Sequence, residues 1–261
     1  MKDRPESIDV AALLRPLGKG DGAGVDMRLD DDESSPYRQL RFVRGSARAA
    51  ERQAEHDGIL ASDTAIDDWR EVKRLCVTCL AEQTKDFEIA AWLTEALVRL
   101  DGLTGLASGA MLICELLDQY WHNGFPAESE NDPNGWDSHR YKALETMIKR
   151  PGLATLPGTI VQPLYLLPLF RLNGGRWVSL NDWRAMEGAT SLSGLDSLYG
   201  AAMADVDSRQ SMAEQVEVAL SAWKTLISKV DERFGWMGYD LYPVRETLER
   251  IRDVVQERVP C

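Results

Sequence analysis

Cysteine and histidine are scarce in this chain, with four Cys and three His among 261 residues. Four thiols without an export signal read as reduced cysteines of the cytoplasm. The opening Met1-Lys2-Asp3-Arg4-Pro5-Glu6 leads into charged sequence and no signal-type apolar core. No apolar run is expected to reach the ~18 residues of a membrane span. Positive charge is also short: 30 Lys and Arg face 42 Asp and Glu, for a net charge of −12 and a pI near 4.8. Such a chain is repelled by phosphate backbones and anionic headgroups, so neither nucleic acid nor membrane insertion is expected. The glycines of Gly18–Gly24 lack the Gly-Lys-Ser/Thr ending of a phosphate loop. No Gly-x-Ser-x-Gly elbow, no His-Glu-x-x-His pair and no fixed-period repeat occurs.

What is present is a core. Hydrophobic residues make up 44% of the chain, and eight Trp supply large surfaces for packing and docking. Apolar spacing of three and four predicts helices over about 37–56, 67–83, 87–100, 103–121, 138–149, 181–187, 211–234 and 244–258. Asp101-Gly102 is read as a stop between two of them, and short loops imply antiparallel neighbours. Thr159–Leu167 reads as an extended segment, with 176–180 as its hairpin partner. The fold class is therefore mainly α: a multi-helix, antiparallel, bundle-like domain with one short β-hairpin. Residues 1–36 form an irregular N-terminal arm and 37–261 the helical domain, with a sub-boundary near the small polar stretch 188–209.

Several side-chain groups invite chemistry, and each also has a plainer reading. Cys76-Val77-Thr78-Cys79 falls on an apolar helix face and lacks a second ligand pair, so it reads as core and not as zinc or redox centre. Asp30-Asp31-Asp32-Glu33 lacks the spacing of a calcium loop and reads as a solvated acidic run. His56, His122 and His139 have no evident positioned partner, so no catalytic residue, metal site or cofactor is assigned. Arg38, Arg41, Arg44, Arg48 and Arg52 recur at helical spacing as a basic stripe. Either it docks an acidic partner or it pairs internally with Asp30–Glu33, Glu51 and Glu55; the chain's negative field favours internal pairing. Arg41 and Arg48 are the docking candidates of that stripe. Phe125, Trp136, Trp236 and Tyr239, beside Gly or Pro in loops, are the aromatic ones.

The order of blocks carries a further signal. Gly20-Asp21-x-x-Gly24-x-Asp26 precedes Tyr37, Arg44, Ala47-Arg48 and Glu51-Arg52, then Trp69 and Val72. Next come Thr84-Lys85-Asp86-Phe87 and Ala91-Trp92-Leu93, Gly102-Leu103-Thr104-Gly105-Leu106, Tyr120-Trp121, Gly158–Pro163, Pro168-Leu169-Phe170 and Val178-Ser179-Leu180. In this order they resemble the ImpA-type N-terminal region of the TssA family of type VI secretion assembly proteins, over about residues 15–255. Thr84 stands where the family has Ser. The resemblance implies a non-catalytic adaptor that contacts baseplate, sheath or tube proteins, and it is compatible with a homo-oligomer. The family's C-terminal ring-forming domain is expected to be absent, so ring formation is not carried over. Two other readings compete: a hydrolase or metal-dependent enzyme using His122 and His139, and a regulatory adaptor outside secretion.

Overall fold

Helix α2, Pro36–His56, starts where the sequence supplies both start signals. Ser35 accepts from the Arg38 N–H as N-cap, and Pro36 occupies the first helical position, where its missing N–H costs nothing. Helix α3, Asp63–Glu82, follows and packs back along α2; Ser46 donates to Asp68, and Trp69 Nε1 donates to Glu51. The computed structural model describes residues 7–18, 20–57, 63–127, 139–148, 159–172, 175–189, 200, 204–235 and 237–256.

Helix α4, Phe87–Gln119, is the centre of the fold. Asp86 caps it by accepting from the N–H groups of Glu88 and Ile89. It is not one rod. Gly102 has φ 59° and ψ −135°, outside helical space, and the chain doubles back there. A Cβ on Gly105 would lie 2.2 Å from the carbonyl oxygen of Leu97, and one on Gly109 would lie 2.5 Å from Thr94 Oγ1. Positions 105 and 97, then 109 and 94, are thus face to face, as in two antiparallel arms. The arms close at their far ends, where Phe125 N–H donates to Lys85 O and Phe87 N–H donates to Phe125 O. The separate helices expected around Asp101-Gly102 are these two arms.

The apolar content of this hairpin corrects one expectation. By length and composition α4 is apolar enough to cross a membrane, yet 67% of its most apolar window is buried inside the fold. Its hydrophobicity is used by its neighbours: α2 and α3 against the first arm, and α8, Val206–Phe234, against the second. Lys229 binds Asp118 at 2.6 Å, and Phe234 meets Trp121 edge-on at 5.1 Å. These contacts set α8 parallel to the second arm.

Smaller elements complete the body. They are α1, Val10–Leu13, and a 3-10 turn, Met27–Leu29; α5, His139–Ile148; and α6, Val161–Leu166. Strands β1, Phe170–Arg171, and β2, Trp177–Val178, form an antiparallel pair, followed by α7, Leu180–Ala189. A second 3-10 turn, Met237–Leu241, leads into α9, Tyr242–Gln256. The fold is mainly α with one short hairpin. The hairpin's second strand lies within the expected 176–180, but its first strand does not lie within Thr159–Leu167: Val161–Leu166 is helical, and pairing begins at Phe170. Pro163 is tolerated because it falls in the first turn of α6, where its N–H would be unpaired anyway. The stretch 188–209 falls mostly outside the described residues.

Residues 7–18 and 20–30 make contacts with the body. Lys85 N–H donates to Ala23 O and Val25 N–H to Gln83 O. Gly24, at φ +82°, would drive a Cβ to 2.1 Å from Gln83 O, so glycine is required for this approach. Two of the sequence blocks quoted above therefore touch one another. The Lys85 ammonium, fully buried, donates to Leu13 O and Leu80 O. Tyr120 Oη donates to Leu14 O.

Buried titratable groups give the fold an alkaline limit. Burial pushes the Cys79 thiol up to about 11 and Cys114 up to about 12, and raises Cys76 as well. Thiols titrate near 8.5 when unfolded, so above that pH the unfolded chain loses protons that the native chain keeps. Their stabilisation is intact below about 8.5 and is lost as pH climbs towards the folded values. Burial lowers Lys85 to about 8, which acts the opposite way between 8 and about 10.4. Three thiols outweigh one ammonium. Stability should fall by about 2 kcal/mol from pH 9 to 10 at ~1.4 kcal/mol per proton, as checked by urea unfolding. A flat or rising profile would contradict this account.

Candidate docking surface

Helix α2 has two faces with different jobs. The inner face carries Tyr37, Arg44 and Glu51, two turns apart, towards the first arm of α4. Tyr37 Oη donates to Glu88 at 2.7 Å. Arg44 makes a two-pronged pair with Glu95, at 2.7 and 2.8 Å, and lies 5.1 Å over the Trp92 ring. Arg99 makes a second two-pronged pair with Glu51, at 2.5 and 3.0 Å, and stacks on Trp69 at 4.3 Å. At the near end Arg28 binds Asp86 through both nitrogens and also reaches Glu88. The result is a ladder of charge-assisted bonds between a helix flank and the core.

Glu95 is the deepest member. It is fully buried, and burial opposes its charge; Arg44, with Arg99 and Arg48, nevertheless holds its pKa below the ordinary carboxylate value. Thr159 Oγ1 lies 2.5 Å from its Oε1. Asp86 is pushed the other way: burial raises it, against the pull of Arg28 and the helix N–H groups. These groups are spent on internal partners. They hold α2 against α4 and leave no carboxylate pair open to a substrate.

The expectation that the arginine stripe pairs with nearby acids holds at one position. Arg38 meets Asp31 at 3.4 Å. Elsewhere the partners differ: Arg44 takes Glu95, Glu51 takes Arg99 and Trp69, and Glu55 binds Gln162. A glutamate among the mostly apolar residues 89–98 is the sequence signal that could have found this buried partner. Arg48 is half-buried and acts on Glu95, whereas Arg41 is exposed and lies 6.0 Å from the Tyr37 ring.

The outer face of α2 carries what periodicity overlooked. Phe42, two turns from the helix start, is 77% exposed. Gly45 and Ala49, both exposed, continue its line along the helix, and nothing lies within 4 Å of where a Gly45 Cβ would be. Arg38, Arg41 and Arg52 run along one flank, all exposed. On the other flank Ser46 donates to Asp68 and Gln53 to Asp57. Polar residues around an outward aromatic made this stretch read as an ordinary solvated helix.

The loop aromatics are less available. Phe125 is half-buried against the core, and its backbone bridges Asp86. Trp136 and Trp236 lie outside the described residues, as does the side chain of Tyr239. Trp177, on β2, is 43% exposed with Arg171 4.5 Å from its ring. His56 and His122 are exposed and apart, and exposed His139 has Nδ1 3.1 Å from Ala127 O. Among the described residues no three His, Cys, Asp or Glu side chains converge to hold a metal ion. Cys76, Cys79 and Cys114 are buried thiols of the core.

Fold and surface together define a helical module with a buried polar ladder inside and an aromatic–arginine face outside. The chain belongs to the family described as ImpA, N-terminal, type VI secretion system, which matches residues 14–149. It is 30% identical over 260 residues to the type VI secretion system component TssA1 of Pseudomonas aeruginosa, covering 95% of this chain and 68% of that protein. Its fold matches the N-terminal domain, including the conserved ImpA_N region, of the TssA component from Burkholderia cenocepacia. That match has a TM-score of 0.68 and 18% identity, over 97% of this chain and 96% of the other. The chain is a TssA-like type VI secretion component.

Proposed function

We propose that this chain is a non-catalytic adaptor on the cytoplasmic side of the type VI secretion system, assisting baseplate and sheath–tube assembly through protein contacts. The observation that carries the reading is the division of polar groups in a TssA-like fold: Arg44 and Arg99 are bound to Glu95 and Glu51, while Phe42 and the flanking arginines face outward. A rigid body with an unspent apolar and charged surface suits recognition better than chemistry. Arg41, Arg48 and the loop aromatics Phe125, Trp136, Trp236 and Tyr239 are the contact residues proposed from sequence, and Phe42 joins them. The test is a pull-down with this chain as bait from cells assembling the apparatus. Specific recovery of a baseplate, sheath or tube protein is expected. Recovery of none of them sinks the adaptor reading.

A further inference from the structure

We infer that the outer face of α2 is a docking site for an acidic amphipathic helix of a partner protein. Phe42 is its apolar anchor, and Arg38, Arg41 and Arg52 are its charged rim. The inference rests on the adaptor reading above and specifies the surface and the partner's chemistry.

Three observations converge. The first is the anchor itself: a phenylalanine 77% exposed, two turns into a 21-residue helix whose inner face is engaged. Exposed Phe flanked by arginine is the composition of an interface centre rather than of solvated surface. The second is space. Gly45 and Ala49, one turn apart beyond Phe42, leave a shallow gap with open room over Gly45. A gap between side-chain ridges is what a second helix fills when it packs on the first. The third is charge. No carboxylate among the described residues pairs with Arg41 or Arg52, although the chain carries 42 acids against 30 bases. Three of the acids expected to pair with the stripe have other partners: Glu51 binds Arg99, Glu55 binds Gln162 and Asp31 meets Arg38.

The occupant's chemistry follows. Two unmatched guanidinium groups on one flank call for carboxylates on the facing flank of the partner. The uncharged lane of Phe42, Gly45 and Ala49 calls for apolar side chains spaced three and four apart beside those carboxylates. An amphipathic helix with an acidic flank presents both at once. Anionic nucleic acid would satisfy the arginines but would meet the chain's overall repulsive field and leave the Phe42 lane unfilled.

The experiment places a photoreactive benzophenone analogue of phenylalanine at position 42 of the full chain, in cells assembling the secretion apparatus. The same analogue at Trp177 serves as a second surface position. Cross-linked peptides are sequenced by mass spectrometry. From position 42 the expected product is a segment of another protein, rich in Asp and Glu, with apolar residues at helical spacing. The double variant Arg41→Glu, Arg52→Glu should lower its yield by about tenfold while the melting curve stays unchanged. Higher salt should lower it too. A captured segment that is neutral or basic, or that comes from a second copy of this chain, overturns the inference. So does an undiminished yield in the double variant. Capture of secretion proteins from position 177 but not from 42 removes this surface and leaves the adaptor reading standing. Capture of none from either position removes this surface, and the pull-down then decides the adaptor reading.

Discussion

Replacing Arg44 by Met is expected to lower the unfolding free energy by about 3–5 kcal/mol, the cost of leaving a buried charge without its partner. Met keeps the length and apolar reach of the side chain, so the loss isolates the guanidinium. Glu95 would then sit fully buried with Arg44's two bonds gone. Thr159 and the more distant Arg48 and Arg99 cannot replace a two-pronged pair at 2.7 and 2.8 Å. The matched change Arg41→Met, on the exposed flank, should move stability by no more than about 0.5 kcal/mol. The pH dependence separates charge from packing. Glu95 titrates below its ordinary value in the native chain, so its stabilising effect is present above about 4.3 and lost as pH falls. The gap between wild type and Arg44→Met should therefore narrow towards pH 4. Urea unfolding of the three proteins at pH 7 and pH 4 reads this directly. Equal losses at positions 41 and 44 would refute the two-faced account of α2.

Gly105→Ala is the second large effect. An added methyl would stand 2.2 Å from the Leu97 carbonyl oxygen and 3.1 Å from Asp101 Cβ. The first obstacle is backbone, so no rotamer change relieves it. The arms of α4 would have to separate, at a cost of about 3 kcal/mol, the upper end of ordinary overpacking. Gly188→Ala, at an exposed position in α7 with open space around it, should be neutral or slightly stabilising through helix propensity. Thermal melts of the two variants make the comparison. A Gly105→Ala protein that melts with the wild type would mean that the hairpin is looser than its geometry indicates.

Much of this architecture was legible in the residues. Apolar spacing located α2 to α5 and the two long C-terminal helices to within a few residues, because a helix that buries one side must repeat every three to four positions. Gly102 was legible as a break between two helices. The short segments were harder. Val161–Leu166 is apolar throughout, and a six-residue apolar run has no period long enough to separate helix from strand. The first strand of the hairpin was therefore placed one element too early, while its partner at 176–180 holds β2.

The docking surface was read less well than the fold, and for a different reason. The arginine stripe was visible, but spacing along one helix says nothing about which carboxylates lie across from it. Arg44 and Arg41 look alike in sequence, three residues apart. One is locked into the core by Glu95, 51 positions away, and the other faces outward. Phe42 could not be told from a core residue until the inner face of α2 had been assigned.

The sequence by itself determined the helical class, the family and the internal turn at Gly102, because these depend on local periodicity and on residues adjacent in the chain. Only the tertiary structure decided which charges are spent and which are free. A charge is neutralised by whatever lies within a few ångströms of it. In this molecule that neighbour is supplied by a different helix, so the outer face of α2 became visible only once α4 had claimed the inner one.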